Sequence, residues 1–317
     1  MRQNLRYRLL VTCLGLGCLI ASLSAQTRLI FTPQWTPQSQ FAGYYVAQAK
    51  GFYQAEGLEV EIVHPSPSYP ALNRLYEGSS DVISLQLVQA LTQIDLGYPL
   101  VNILQTSAQN SLMIVPRHDD ILTPDDLKGK KVGIWRAGFG EVALMADADS
   151  AWHIRWIPFL HNINLYISGA IDATLAMTYN EYLQIRASGI SPQKVFRLAD
   201  MGYDIPEDGL YVTRERFLAN RQAFEAFARA SRKGWEWAAE HPEETLEIVM
   251  QEVKKLHVST NRSHQKWMLE EILRLQLPRQ GGKATFRLTP TQVDEASQMM
   301  VRHRRLSRQI AYDELCL

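Results

Sequence analysis

The chain has 317 residues with 33 basic and 33 acidic side chains, so its formal net charge is zero. That balance gives no support to a broad polyanion-binding face, and no nucleic-acid partner is expected. At 46% hydrophobic and 21% charged, the composition excludes a disordered or collagen-like chain, and the length suits two domains of ordinary size.

The N-terminus breaks the even spread of charge. Arg2, Arg6 and Arg8 precede an uncharged apolar run over residues 9–23, with the small residues Ser22, Ser24 and Ala25 at its end. The run is short for the roughly 20 residues that span a bilayer, and it has the layout of a secretory signal peptide over residues 1–25, cut near Ala25. Lipid attachment at Cys18 fits less well, because Gly15 stands where a lipidation motif calls for Leu. Removing the segment takes away three arginines and no acid, which moves the net charge to −3. Two of the three cysteines, Cys13 and Cys18, leave with it. Cys316 alone supports neither an intrachain disulfide nor a Cys-rich metal site, so no metal and no cofactor are expected.

After the signal, residues 28–31 read as a strand, and 32–38 as a turn-rich loop carrying Trp35. A helix follows from Ser39, which can cap it, through Phe41, Tyr44, Tyr45 and Val46 to Gly51. Residues 58–63 alternate apolar and acidic side chains, the period of a half-buried strand, and a Pro-rich breaker lies at 65–70. Strand at 81–85, helix at 88–96 and strand at 100–105 complete a run of strands alternating with helices, which argues for a mainly parallel sheet. A second unit begins with a strand at 111–115. Thr123-Pro124-Asp125-Asp126 combines a capping Thr, Pro at the first helical position and acids in the first turn. Strand 131–135 runs into Arg136-Ala137-Gly138-Phe139-Gly140-Glu141, and strand 154–159, helix 162–168, strand 174–178, helix 180–187 and strand 194–198 follow. Beyond Asp200 one more strand is expected at 210–213. Helices then dominate, first at 221–239 and then from Pro242. The pattern predicts two α/β lobes: 26–108 plus 205–317 in lobe 1, and 109–204 in lobe 2, joined by two hinge crossovers. The ligand is expected between the lobes.

The stretch Trp35-Thr36-Pro37-Gln38-Ser39-Gln40-Phe41-Ala42-Gly43-Tyr44-Tyr45, with Gly51-Phe52-Tyr53 and Glu56-Gly57-Leu58, resembles the extracytoplasmic solute-binding proteins of the thiamine-pyrimidine and sulfonate type. Asp126-Leu127-Lys128-Gly129-Lys130 and His241-Pro242-Glu243-Glu244 look like later landmarks of the same group. The resemblance implies the type II periplasmic binding protein fold. It further implies a monomer exported to the periplasm, bound to a small planar ligand, a thiamine-related pyrimidine before others, and partnered by an ABC permease in the membrane. A module that signals to a membrane sensor, or one that binds a sulfonate or nitrate, would use the same cleft. Fungal pyrimidine synthases share the fold and use a histidine at the position of Phe41 and a cysteine-rich iron site. With Phe41 there, Gln38 in place of the family's Asn, and Cys316 as the lone mature cysteine, no such enzyme chemistry is expected.

Residues at the carboxyl ends of strands are the natural ligand contacts in such sheets. Trp35 is expected to stack on a planar ring, with Gln38, Phe41 and Tyr44 beside it. Ser84 follows from the strand at 81–85. From the other lobe come Trp135, Arg136, Gly138, Glu141, Tyr179 and Glu181. Arg136 suits a sulfonate or carboxylate, whereas Glu141 or Glu181 suits the amino group of an aminopyrimidine. The eight histidines are scattered without a metal-binding pair, and the arginines at 302, 304, 305 and 308 read as a solvated helical face.

Overall fold

The computed structural model describes residues 26–66, 68–135, 138–159, 163–279 and 281–317. Residues 1–25, where a signal segment is expected and which include Cys13 and Cys18, and the loop residue Arg136 lie outside the described residues. Ten strands are described: β1 (Thr27–Thr32), β2 (Leu58–Ile62), β3 (Val82–Gln86), β4 (Leu100–Gln105), β5 (Leu112–Pro116), β6 (Lys131–Trp135), β7 (Arg155–Phe159), β8 (Ala173–Met177), β9 (Phe196–Arg197) and β10 (Asp208–Thr213). They form two five-stranded sheets, ordered β2-β1-β3-β10-β4 and β7-β6-β8-β5-β9.

In β2 the alternation seen in the sequence is realised: Leu58 and Val60 are buried, Glu59 and Glu61 exposed, and Val60 pairs with Leu29 of β1. Both sheets are mainly parallel, and each takes in one antiparallel strand, β10 in the first and β5 in the second. Some elements are shorter than their sequence signals suggest. The Thr123–Asp126 capping box forms, but only a 3-10 turn over Pro124–Leu127 follows before Gly129 adopts a left-handed φ of +67°. The strand at 194–198 shrinks to two residues and gives way to a 3-10 turn over Leu198–Met201.

The helices that frame the site are α1 (Ala42–Ala49), α2 (Leu87–Asp95), α3 (Glu141–Ser150), α4 (Glu181–Ala187), α5 (Arg221–Glu240), α6 (Arg262–Leu275) and α7 (Pro290–Arg302). Helix α5 lies directly on α1. A Cβ placed on Gly234 would fall 2.0 Å from the Gly43 carbonyl oxygen, and one on Gly43 would fall 2.2 Å from the Trp235 ring. Glycine is therefore required at this crossing by close approach of two backbones. With the sheet on one side and α5 on the other, α1 is buried from Ala42 to Ala47. Phe41, Tyr44 and Tyr45 are each no more than 2% exposed.

The chain passes between the sheets twice, and the two passages are bonded to each other. Thr106 and Ser107 donate backbone N–H to the Asp208 carbonyl at 2.8 and 3.0 Å. Asn110 N–H donates to Asp204 at 2.8 Å, and the Ser111 hydroxyl donates to Glu207 at 2.6 Å. Among the described residues no helix is long and apolar enough to cross a membrane.

Candidate functional site

The loop after β1 forms one wall of the cleft, and side chains from distant positions hold it there. Gln34 N–H donates to the Ser84 hydroxyl (2.8 Å), and its side-chain amide donates to Asp208 Oδ1 (2.6 Å). Gln40 donates to Asp208 Oδ2, and Gln38 Nε2 donates to Gln40 Oε1, both at 2.6 Å. Ser39 is clamped by Gln265 through two bonds of 2.7 Å.

The opposite wall is built on strand ends. Trp135 closes β6, Met177 closes β8, and Tyr179, Asn180 and Glu181 lead into α4. The turn between Trp135 and α3 carries Gly138 at a φ of +79° and Gly140, where a Cβ would fall 2.5 Å from the Ile134 side chain. This tight turn presents Phe139, whose ring meets Trp35 of the first lobe edge-on at 5.5 Å and 87°.

Trp35, Gln38, Trp135, Phe139, Met177, Tyr179, Asn180 and Glu181 enclose a cavity of about 30 Å³. That is room for about one water, so a ring enters only when Phe139 leaves Trp35 or the lobes part. Outside it a groove of about 1010 Å³ shares Trp35, Gln38 and Asn180 and runs along α6 past His264 and Trp267. The lobes are stitched at this rim. His264 Nε2 lies 2.9 Å from Asn180 Oδ1, and because that oxygen only accepts, the imidazole donates. Asn180 in turn donates to Glu181 Oε1 at 2.7 Å, and Met177 N–H donates to Glu181 Oε2 at 3.0 Å.

The electrostatics of the cleft are acidic. Burial pushes the Glu181 carboxyl up to about 7, Asp208 to about 6 and Glu207 to about 8, the hydrogen bonds just described only partly offsetting it. Among the described residues no Lys or Arg lines the cavity. The Gln38 amide nitrogen is already engaged with Gln40, so the oxygen is what it has left to offer. Glu181 adds a carboxyl group. The described polar wall is thus suited to a ligand rich in hydrogen-bond donors.

Of the residues singled out from sequence, Trp35, Gln38, Trp135, Tyr179 and Glu181 come together around this cavity. Gly138 shapes the turn that carries Phe139. Phe41 and Tyr44 require correction. Neither lines the cavity, because Phe41, just before α1, and Tyr44 within it are buried in the lobe's core. Phe41 packs on His64 (5.8 Å), and Tyr44 packs edge-on against Phe31 (4.7 Å) and Trp235 (5.6 Å). Ser84 is buried and holds the Trp35 loop through Gln34 instead of lining the cavity. Glu141 forms an ion pair with Arg305, 3.3 Å away, just beyond α7 of the other lobe. Arg136 lies outside the described residues. Sequence reasoning passed over Phe139 as a contact, and it missed the support given by Gln34, Gln40, His64 and Asp208. Asp208 begins β10, two residues before the strand expected at 210–213, and none of these positions offered a distinct signal.

The sequence matches the family described as NMT1/THI5 like over residues 38–245, well over half of the chain. The riboflavin-binding protein RibY of Chloroflexus aurantiacus is 24% identical over 257 residues, covering 75% of this chain and 70% of RibY. The formylaminopyrimidine-binding protein of Halalkalibacterium halodurans is 24% identical over 226 residues, 68% of each chain. A 4-amino-5-hydroxymethyl-2-methylpyrimidine phosphate synthase of Aspergillus parasiticus is 23% identical over 239 residues, 69% of each. Among solved structures, the ligand-binding component of an ABC-type import system from Staphylococcus aureus superposes with a TM-score of 0.68 at 13% identity, covering 92% of this chain and 97% of that one. The periplasmic aliphatic sulphonate binding protein SsuA of Escherichia coli gives 0.65 at 13%, covering 90% and 95%. The fold is that of the periplasmic binding proteins, and the chain belongs to the NMT1/THI5-like family.

Proposed function

We propose that the protein is an exported, non-enzymatic solute receptor of an ABC importer whose lobes close on a small planar heteroaromatic ligand, a thiamine-related aminopyrimidine in the first instance. The observation that carries this reading is the cavity between the lobes, walled by Trp35, Trp135, Phe139 and Tyr179 and bearing the Glu181 carboxyl at its edge. Stacking between indole and ring supplies affinity for flat rings in general, while Glu181 supplies selectivity. A carboxyl group that titrates near 7 donates its proton to a ring nitrogen and accepts from the adjacent amino group. If the pyrimidine keeps the proton, the same two contacts become an ion pair. The names of the formylaminopyrimidine-binding and riboflavin-binding relatives agree with a flat nitrogen heterocycle. Glu181, the one acid among the described residues lining the cavity, disfavours a sulfonate. Closure rewards ligands that touch both lobes, and the closed form is what a permease would recognise.

The test is a titration and thermal-shift series on the chain without residues 1–25, with 4-amino-5-hydroxymethyl-2-methylpyrimidine, riboflavin, an alkanesulfonate and nitrate. The aminopyrimidine is expected to raise Tm. A sulfonate that does so while no aminopyrimidine does overturns the ligand assignment. Trp35→Ala is expected to weaken the aminopyrimidine by roughly 1–3 kcal/mol, about 5- to 150-fold.

A further inference from the structure

We infer that His64 is a positioning residue for ligand binding, one that sets the Trp35 wall from beneath; the inference rests on Trp35 being a wall of the site. His64 follows β2, where Val63 N–H still pairs with the Phe31 carbonyl at 2.9 Å. From there its imidazole reaches under the Trp35 loop. Nδ1 lies 2.7 Å from the Trp35 carbonyl oxygen, and Nε2 lies 2.8 Å from the Tyr45 hydroxyl. A carbonyl only accepts, so Nδ1 carries the hydrogen and donates it. In the neutral ring Nε2 is then an acceptor, and the Tyr45 hydroxyl donates to it. Both ring nitrogens are thereby satisfied with one tautomer. Phe41 and Tyr45 flank the ring at 5.8 and 6.0 Å between centroids.

The arrangement makes a rigid strut from the core helix α1, through Tyr45 and the imidazole, to the backbone of the stacking residue itself. The loop's other backbone tethers act at Gln34 and at Ser39; His64 acts at Trp35. Burial disfavours the imidazolium and lowers the His64 pKa to about 4, which keeps the ring in the neutral form that the two bonds require. The Phe41 position also acquires a role: its ring is a side support for the strut and not a ligand contact.

A double-mutant cycle separates positioning from mere structural support. Affinity for 4-amino-5-hydroxymethyl-2-methylpyrimidine is measured by calorimetry for wild type, His64→Leu, His64→Asn, Trp35→Ala and the two His64 changes combined with Trp35→Ala. His64→Leu is expected to raise Kd about tenfold. His64→Asn, whose amide can still donate to the Trp35 carbonyl, is expected to restore Kd to within about threefold of wild type. In the Trp35→Ala background neither His64 change is expected to shift Kd by more than about twofold. An unchanged Kd in His64→Leu, or an equal loss with and without Trp35, overturns the inference. Should His64→Leu fail to fold, Tyr45→Phe, which removes only the hydroxyl donor, takes its place in the same cycle. Trp35→Ala with no effect overturns the stacking wall, and this inference with it. A Trp35 effect without coupling to His64 overturns this inference alone, and the wild-type titration reads the ligand assignment independently.

Discussion

The two walls of the cleft hold their aromatic rings by opposite means. On lobe 2, Trp135 and Tyr179 sit where strands end: the parallel pairing of β6 with β7 holds Trp135 opposite Phe159, the antiparallel pairing of β8 with β5 holds Met177 opposite Leu112 just before Tyr179, and α4 starts at Glu181. On lobe 1, Trp35 stands in a loop without regular structure. Its place depends on partners from farther along the chain: Ser84, Gln265, His64 and Asp208, the last reached through Gln34 and Gln40. The difference teaches where damage travels. Lobe 1 recognition is expected to fail through residues that never meet the ligand, and lobe 2 recognition mainly through residues that do.

The largest expected effect breaks the backing of the lobe 1 wall. Gly234→Ala forces a methyl group to within 2.0 Å of the Gly43 carbonyl oxygen, and a backbone carbonyl at a helix crossing has little room to retreat. A loss of about 3 kcal/mol in unfolding free energy, measured by denaturant titration, is expected from such overpacking. Next, Glu181→Ala removes the acidic group of the lobe 2 wall. A hydrogen bond to a charged group contributes roughly 1.5–3 kcal/mol, so the aminopyrimidine Kd should rise about 10- to 150-fold. Tm should fall as well, because Met177 N–H and the Asn180 amide lose their buried acceptor. If Glu181→Ala lowers Tm and leaves Kd alone, the carboxyl group serves the fold and not the ligand.

Both walls then act together in a pH response. An ordinary carboxyl group titrates near 4, whereas in the closed form Asp208, Glu181 and Glu207 are raised to about 6, 7 and 8. Between the ordinary range and these values the closed form binds more protons than an open form that exposes the acids. Acid therefore stabilises closure, and that stabilisation is lost as pH rises through 6–8. Small-angle scattering of the ligand-free protein should give a smaller radius of gyration at pH 5 than at pH 8.5; an identical radius would show that opening does not expose these groups. The smallest effect belongs to the surface. Arg305→Ala deletes a part-exposed ion pair with Glu141, of a kind that contributes about 0–1 kcal/mol, so affinity should change less than about fivefold, and less still at high salt.

The contrast between the walls also explains what could be read from sequence. The alternation of strands and helices was legible because apolar periodicity follows burial, as Leu58 and Val60 of β2 illustrate. Strand direction leaves no such mark, so the antiparallel placement of β5 and β10 was not. On the lobe 2 wall, Trp135, Tyr179 and Glu181 were legible because a strand end followed by a helix start locates them. On the lobe 1 wall Trp35 was legible, while its supports were not, since Gln34, Gln40 and His64 lie in turns where polar residues are ordinary. Phe41 and Tyr44 misled because a helix beside a cleft was expected to show it one face. The glycine crossing with α5 buries that face instead.

The position of β10 bears on how the molecule comes to be folded. Lobe 2 is drawn from one stretch of chain, and its strands from β5 to β9 can pair as soon as they have been made. The lobe 1 sheet has a gap between β3 and β4 that only β10 fills, with Leu210, Tyr211 and Val212 fully buried and Gln86 paired to Asp208 more than a hundred residues later. A chain synthesised from its N-terminus must carry β3 and β4 with open edges until the whole of lobe 2 has followed. The later lobe in sequence is the earlier one to close, and the half-built first sheet is the species that chaperones or neighbouring chains would meet.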